Sequence, residues 1–217
     1  MVGASPTISP LGDEALLATF ARTISWDVGA RVRAAAARIR KLGRPEITDV
    51  VPSYTTLGVY YDGSSIGYTA VAALVAPLLV AGDALEEGVA AVVEIPVRYD
   101  GPDLEEVAER TGLSVDEVIA RHSARSYRAY ACGFQPGFAY LGDLDEALEL
   151  PRRSSPRIRV PPGSVAIAGR QTAVYPLQTP GGWHLIGSTP LRMFDATRDP
   201  PALIHPGDEV RFVRDES

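Results

Sequence analysis

Hydrophobic positions in the first part of the chain change between strand spacing and helix spacing. Short apolar runs bounded by turn residues predict strands at 15–20, 47–51 and 57–61. From Trp26 to Leu42, apolar residues recur at the spacing of one helix face, and Gly43 follows as a helix stop. The pattern therefore predicts a helix between the first and second strands.

The same alternation continues to about residue 95. A second helix is predicted over 68–79, and Pro77 is expected to bend or end it because proline removes a helical hydrogen bond. An apolar run at 89–95 predicts a further strand. Since strand, helix, two strands, helix, strand is the order of a split βαβ unit, we expect a split βαβ-like α/β sandwich over residues 1–93.

The pattern changes after residue 93. One helical segment at 103–124 is followed by many short apolar strands, which PPG, PGG and PGD turns separate. Short strands separated by such turns favour a closed or nearly closed β-barrel over a parallel sheet. We expect a barrel domain over residues 94–217, so the chain as a whole is predicted to be an α+β protein.

The helical segment at 103–124 predicts two short helices. Two glutamates follow candidate N-cap residues at the spacing of a capping box, in the pairs Asp103–Glu106 and Ser114–Glu117. Two short helices with a turn between them resemble a DNA-binding helix-turn-helix. However, the second helix opens with Asp116 and Glu117, which DNA phosphates would repel, and we therefore expect no DNA binding.

Composition and charge narrow the possible partners. The 217 residues carry a net charge of −6, which disfavours binding to nucleic acids and to anionic membranes. Cys132 is the only cysteine, which excludes an intrachain disulfide and a cysteine-based zinc cluster. The N-terminus has no signal-peptide pattern, and the most apolar run, at 66–81, is too short for a bilayer. We expect a cytoplasmic protein.

Some polar side chains have both a functional and a structural interpretation. His122, at the end of the second short helix, fits a general base, but it also fits a histidine that interacts with the helix dipole. Gln171, Tyr175 and Trp183 fit either a site or ordinary barrel packing. The histidines show no metal-ligand spacing, so no metal site is expected.

A cluster of arginines lies between residues 151 and 160. Its members are Arg152, Arg153, Arg157 and Arg159. Guanidinium groups match the paired oxygens of a carboxylate or phosphate, but these four residues could equally neutralise the acidic residues just upstream. The alternation Arg157-Ile158-Arg159 predicts a strand that places both arginines on one face and Ile158 in the core.

Two stretches of the second half resemble one known family. GFQPGFAYLGDL (133–144) and PRRSSPRIRVPPGSVAIAGRQTAVYPLQTPGGWHLIGSTP (151–190) are similar to the B-type subunit family of bacterial ATP-dependent 5-oxoprolinase. This family includes the sporulation-kinase inhibitor KipI and is also labelled allophanate hydrolase subunit 1. The match is close over 94–214 and weaker, but in order, over the N-terminal half. One departure is Ala173, where the family is expected to have glycine.

The resemblance implies a fold, partners and a reaction. The fold is an N-terminal α/β domain followed by a cyclophilin-like β-barrel. The partners are a homologous barrel protein, which is the C-type subunit of the enzyme, and a third, lactam-utilisation subunit. Together they convert 5-oxoproline, ATP and water into glutamate, ADP and phosphate, so ATP is the expected cofactor, bound by this chain or by its partner.

Under this resemblance, the segment GFQPGFAYL is interpreted as the wall of a small-molecule site, since such sites are mostly apolar with a few fixed polar groups. The expected wall residues are Phe134, Pro136, Phe138 and Trp183. The candidate catalytic residues are His122 and Gln135. The candidate substrate or phosphate ligands are Arg152, Arg157, Arg159, Gln171 and Tyr175.

Two other functions remain open at this point. One is a KipI-like regulator that docks on a histidine kinase, which needs an exposed apolar patch. The other is a carboxyltransferase or allophanate-hydrolase-related subunit of urea metabolism. Because the chain has no biotin-attachment segment and no amidase nucleophile motif, it could not perform that chemistry alone.

Overall fold

The computed structural model describes residues 5–80 and 91–216, which form two compact units. The first unit is Met1–Val89 and the second is Ala90–Ser217. The sequence places the boundary after residue 93, which lies within a strand of the second unit, Val92–Val97. No helix within the described ranges has the length and apolarity needed to cross a bilayer.

The first unit is a four-stranded antiparallel sheet with two helices. Its elements are β1 (Thr7–Pro10), β2 (Ala15–Thr19), α1 (Trp26–Lys41), β3 (Ile47–Pro52), β4 (Thr56–Tyr61) and α2 (Tyr68–Val80). The strand order is β1-β2-β4-β3. Since β4 is antiparallel to both of its neighbours, β2 and β3 run parallel, with α1 as their crossover and β4 between them. This is the predicted split βαβ arrangement.

Three details of the first unit differ from the sequence prediction. Strand β1 was not predicted, and α2 continues through Pro77 to Val80. The predicted strand at 89–95 corresponds to β5 (Val92–Val97), which pairs in parallel with β13 (Glu209–Arg214) of the second unit. It therefore does not extend the first sheet. The first two residues of that prediction lie outside the described residues.

The second unit is built around one seven-stranded sheet. After β5 come α3 (Leu104–Thr111), α4 (Val115–Ser123), β6 (Ser126–Cys132), β7 (Ala139–Gly142), a short 3-10 helix (Glu146–Leu148), β8 (Arg157–Val160), β9 (Ser164–Ala168), β10 (Gln171–Val174), β11 (Thr179–Gly181), β12 (His184–Ser188) and β13. The sheet order is β12-β9-β10-β7-β6-β13-β5, and β8 pairs with β11 in a separate ribbon. Arg98, after β5, exchanges two backbone hydrogen bonds with Ser188 of β12. This bridge joins the two edges into the predicted barrel.

Successive side chains along the barrel strands point to opposite faces of the sheet, and each face carries its own apolar cluster. On β9, Val165 and Ile167 point into the main barrel core, whereas Ala166 and Ala168 point into a smaller cluster on the other face. Because successive side chains point to opposite faces, a strand that is buried on both faces reads as a continuous apolar run. The smaller cluster also contains Phe138, Val160, Ala173, Tyr175, Trp183 and Leu185.

The two short helices have different N-termini. At α4, the Ser114 hydroxyl accepts a hydrogen bond from the Glu117 backbone, and the Glu117 carboxylate accepts one from the Ser114 backbone, as the capping box predicts. At α3, Asp103 is the N-cap residue, but its side chain makes no capping hydrogen bond. The capping box predicted for Asp103 and Glu106 is therefore wrong, because the Asp103 carboxylate has other partners.

Candidate functional site

An aromatic cleft of about 250 Å³ opens on the outer face of the barrel sheet, above the smaller apolar cluster. It is lined by Phe134, Phe138, Tyr140, Arg152, Pro156, Tyr175, Pro180, Gly181, Gly182 and Trp183. Five of the residues proposed from the sequence are in this set, namely Phe134, Phe138, Arg152, Tyr175 and Trp183. The structure therefore brings together residues that are up to about fifty positions apart in the chain.

Strand alternation explains how the cleft walls form. Phe138 and Tyr140 flank the first residues of β7 and face the smaller cluster, whereas Ala139 and Leu141 face the main core. The Phe138 ring lies 4.9 Å from Tyr140, 5.4 Å from Tyr175 and 5.8 Å from Trp183, measured between centroids. These edge-to-face contacts fix the orientation of each ring. The result is a preformed apolar wall.

Gly181 is required by the close approach of Tyr175. A Cβ atom at position 181 would lie 2.4 Å from the Tyr175 hydroxyl oxygen. Burial raises the pKa of Tyr175, although a hydrogen bond from the Trp183 backbone opposes that shift. The glycine thus allows the PGG turn to pack against the phenol at the cleft, and burial favours the neutral form of that phenol.

Phe134 has a strained backbone at the lip of the cleft. Its φ is 74°, and it is the only residue other than glycine in the described ranges with a positive φ. Its ring is 63% exposed and lies 5.4 Å from the Phe138 ring. A bulky residue in this region is unusual, and such strain is concentrated at ligand sites. The GFQPGF turn therefore presents an aromatic ring to solvent at a conformational cost.

The neighbouring residues Gln135 and Pro136 lie beside the cleft rather than in its lining. The Gln135 side-chain amide donates a hydrogen bond of 3.5 Å to the Leu177 carbonyl oxygen. Pro136 is exposed at the turn. Gln135 thus links the GFQPGF turn to the segment that leads into β11.

Arg152 supplies the only charge among the lining residues. Its guanidinium carbon lies 6.0 Å from the centre of the Trp183 ring, at the outer limit of a cation–π contact. The Arg152 side chain is exposed, and no carboxylate lines the cleft with it. The cleft therefore combines apolar walls with one accessible cation.

Arg157 and Arg153 are bound to a buried carboxylate instead. Asp103 Oδ1 accepts hydrogen bonds from Arg153 at 2.9 Å and from Arg157 at 2.5 Å, and its Oδ2 accepts one from the Leu185 N–H at 2.7 Å. Arg153 also pairs with Glu106, and this hydrogen bond lowers the pKa of the Glu106 carboxyl. Asp103 thus ties the segment before β8 to α3 and β12.

The predicted geometry of Arg157, Ile158 and Arg159 is wrong. Ile158 is 84% exposed, so it is not a core residue. Arg157 forms a salt bridge with Asp103, and Arg159 is exposed. Neither residue lines the cleft. Strand β8 pairs with β11 in a separate two-stranded ribbon, and its residue buried in the smaller apolar cluster is Val160, two positions further on. The sequence alternation was correct, but the burial assigned to it was not.

His122 is completely buried in the main barrel core, on the opposite face of β10 from the cleft. The Tyr99 hydroxyl lies 2.8 Å from Nδ1, and Thr172 Oγ1 lies 2.9 Å from Nε2. Because Thr172 donates its own proton to the Ala166 carbonyl, Nε2 must donate to Thr172, and Nδ1 must accept from Tyr99. Burial lowers the pKa of His122 to about 3. The structure therefore favours a structural role for this neutral histidine.

The two remaining positions lie on β10. Gln171 begins the strand, opposite Ala168, and is not in the cleft lining. Ala173 is paired with Ala166 and is buried in the cluster beneath the cleft. Its backbone does not have a positive φ, so alanine in place of the expected glycine causes no strain there.

Several lining residues were not singled out from the sequence. They are Tyr140, Pro156, Pro180, Gly181 and Gly182. Tyr140 could have been predicted, since it is two residues after Phe138 and side chains two apart in a strand point to the same face. The others come from the ribbon β8–β11, whose position depends on the buried contacts of Asp103. No local sequence pattern predicts those contacts.

Comparisons with known proteins assign the chain to a family. A family model described as carboxyltransferase domain, subdomain C and D, matches residues 6–204. The chain is 42% identical to the B-type subunit of 5-oxoprolinase from Bacillus subtilis (strain 168), over 95% of this chain and 92% of that protein. The chain belongs to this 5-oxoprolinase subunit family. The corresponding 5-oxoprolinase subunit from Escherichia coli O157:H7 is 57% identical over 56% of this chain and 57% of its own length.

Solved structures share this fold both at about 40% identity and at much lower identity. TTHA0988 superimposes with a TM-score of 0.84 at 41% identity, over 94% of this chain and 40% of that one. PH0987 from Pyrococcus horikoshii has a TM-score of 0.57 at 42% identity, over 97% and 98% of the two chains. The K. lactis urea amidolyase has a TM-score of 0.78 at 15% identity, and this chain spans 15% of it. The similarity to urea amidolyase is a similarity of fold alone.

Proposed function

We propose that this chain is a subunit of a hetero-oligomeric, ATP-dependent 5-oxoprolinase, which opens 5-oxo-L-proline to L-glutamate. The observation that carries the proposal is the family relationship, which covers 95% of this chain and 92% of the Bacillus subtilis 5-oxoprolinase subunit. The partners proposed are a homologous barrel subunit and a lactam-utilisation subunit. The enzyme is the assembly, and the isolated chain is inactive.

The chemistry explains why several components are needed. An amide is a weak electrophile and its amine is a poor leaving group, so hydrolysis of a lactam needs activation. ATP would supply that activation in the assembly, as a donor of phosphate to the amide oxygen. Donors aimed at the oxygens that become charged would then stabilise the transition state. The part we assign to this chain is to bind and orient the lactam.

The aromatic cleft does not fit the triphosphate of ATP. P-loop and kinase-type triphosphate sites use a glycine-rich loop with a lysine and several cations, whereas the only charged residue in the cleft lining is Arg152. The sequence has one lysine, Lys41, which lies on helix α1 of the first unit. We therefore place the nucleotide at a different surface of the assembly.

Reconstitution tests the proposal directly. The purified chain would be assayed with 5-oxoproline and ATP, alone and with each partner, while glutamate and ADP are measured. We expect turnover only when the barrel partner and the lactam-utilisation subunit are both present. Full turnover by the isolated chain would refute the subunit role, and no turnover by the complete assembly would refute the activity.

A second candidate function is carboxyl transfer, which the family description names. This role needs a carboxyl carrier on another chain. An assay of the same assembly with carboxybiotin and urea separates the two functions. We expect carboxylated product to stay at background while 5-oxoproline is consumed, and the opposite result would favour carboxyl transfer.

A further inference from the structure

We propose that the aromatic cleft is the site for a small cyclic amide that carries one carboxylate, and that Arg152 binds this carboxylate. The inference rests on the proposed function, and it assigns the substrate to this chain instead of to a partner. It also assigns a specificity role to one arginine of a cluster of four.

The charges at the cleft select a monoanion. Of the four arginines, Arg153 and Arg157 are already paired with the buried Asp103, and Arg159 lies outside the lining. Arg152 remains as one cation with no carboxylate lining the cleft beside it. A ligand with a positive charge would meet no counter-charge, and a polyphosphate would be neutralised only in part.

The shape and the walls select a small flat ring. About 250 Å³ lies below the usual size range of clefts for drug-sized ligands. Phe138, Tyr140 and Trp183 present ring faces and edges in a fixed arrangement, with centroids 4.9 to 6.1 Å apart. A planar lactam packs against such surfaces. The walls are preformed, which lowers the entropic cost of binding.

Phe134 provides an independent indication of a ligand. Its ring is exposed at the lip of the cleft although its backbone is strained. Glycine at this position would relieve the strain, so the chain retains a phenylalanine at a cost in stability. A ring that covers a bound ligand accounts for that cost, because the ligand would bury surface that water now covers.

Trp183 allows binding to be measured directly. The chain has two tryptophans, and the other, Trp26, lies in the first unit. In a Trp26→Phe background, the fluorescence of the full-length chain therefore reports the cleft. The ligands compared are 5-oxoproline, 2-pyrrolidinone, which lacks the carboxylate, and ATP. The variants are Arg152→Ala and Arg152→Lys, with Arg159→Ala as the matched control.

The expected result is a selective loss of affinity. Arg152→Ala should raise the dissociation constant and the KM of the assembled complex for 5-oxoproline about ten- to a hundredfold, because it removes a charge-assisted contact. Arg152→Lys should recover part of the loss, since lysine cannot form the paired contact. Arg159→Ala should change neither value. The parent chain should bind 2-pyrrolidinone no more tightly than the Arg152→Ala variant binds 5-oxoproline. ATP should not compete with 5-oxoproline for the cleft.

The outcomes separate this inference from the proposed function. If the complex turns over 5-oxoproline but Arg152→Ala and Arg159→Ala have the same KM, the cleft assignment is wrong and the function stands. If the complex turns nothing over, the function fails and the fluorescence titration alone decides the cleft. Equal binding of 2-pyrrolidinone and 5-oxoproline would also overturn the inference. Unfolding midpoints of the variants, read from Trp183, confirm that they are folded.

Discussion

Acid should destabilise the barrel unit because His122 is buried as a neutral imidazole. Its pKa in the folded chain is lowered to about 3 by burial, compared with about 6.5 in an unfolded chain. Below pH 6.5, the unfolded state therefore binds a proton that the folded state does not. The stabilisation is complete above about pH 6.5 and is lost as the pH falls toward 3.

Burial explains the size of the effect, because a charged imidazole would have no water around it in the barrel core. Protonation would place a second N–H opposite the Tyr99 hydroxyl, which already donates to Nδ1. At about 1.4 kcal/mol per pKa unit, the difference between the unfolded and folded pKa values of His122 corresponds to about 5 kcal/mol of unfolding free energy. Between pH 7.5 and pH 5, the loss attributable to this residue is about 2 kcal/mol.

The assay compares unfolding at the two pH values. Urea unfolding of the Trp26→Phe chain, followed by Trp183 fluorescence, reports the second unit. His122→Gln should be less stable at pH 7.5 by about 1–3 kcal/mol, because Tyr99 and Thr172 lose a partner. However, it should lose about 2 kcal/mol less than the parent between pH 7.5 and pH 5. His205→Gln, at an exposed histidine, is titrated in parallel as a second histidine variant.

Two results would refute this reasoning. One is an equal loss of stability at pH 5 in the parent and in His122→Gln. The other is an NMR titration of the His122 ring in the folded chain with a midpoint near 6.5. Either result would mean that the imidazole is accessible to water, and a catalytic role for His122 would become attractive again.

Three further predictions concern other parts of the second unit. Asp103→Ala should lower the unfolding free energy by about 3–5 kcal/mol in urea titrations, since it leaves Arg157 and the Leu185 N–H without their buried partner, and a loss below about 1 kcal/mol would contradict this. Phe134→Gly should be about 1–3 kcal/mol more stable than Phe134→Ala, because both variants lose the ring but only glycine relieves the strain, and equal stability would disprove strain. Cys132 should react with iodoacetamide at pH 8 far more slowly than a free thiol, because burial raises its pKa to about 12, and reaction at the rate of free cysteine would contradict its environment.

Local signals in the sequence determined most of the secondary structure. Apolar spacing and Gly43 defined α1 to within one residue, and Ser114 with Glu117 defined the start of α4. Turn residues between short apolar runs predicted the barrel. These features depend on backbone conformation and on neighbours a few positions away, so they can be read from the sequence alone.

One wall of the aromatic cleft could also be read from the sequence. The segment GFQPGFAYL contains Phe134, Phe138 and Tyr140, and its glycines and proline indicate a rigid turn. Arg152, Tyr175 and Trp183 were assigned to a site only through the family resemblance, because they reach the cleft only after β10 has paired with β7 and the ribbon β8–β11 has formed. Those pairings depend on contacts between residues far apart in the chain.

Tertiary structure alone decided the roles of five charged or titratable residues. Asp103 has the sequence context of a helix cap, but its carboxylate binds two arginines and a backbone N–H of β12, because a buried carboxylate needs several donors. That choice removes Arg153 and Arg157 from ligand binding and leaves Arg152 at the cleft. His122 has the sequence context of a catalytic base, but it lies on the core face of β10, where water cannot reach it. The sequence determines which groups are present, and burial determines which of them remain free to react.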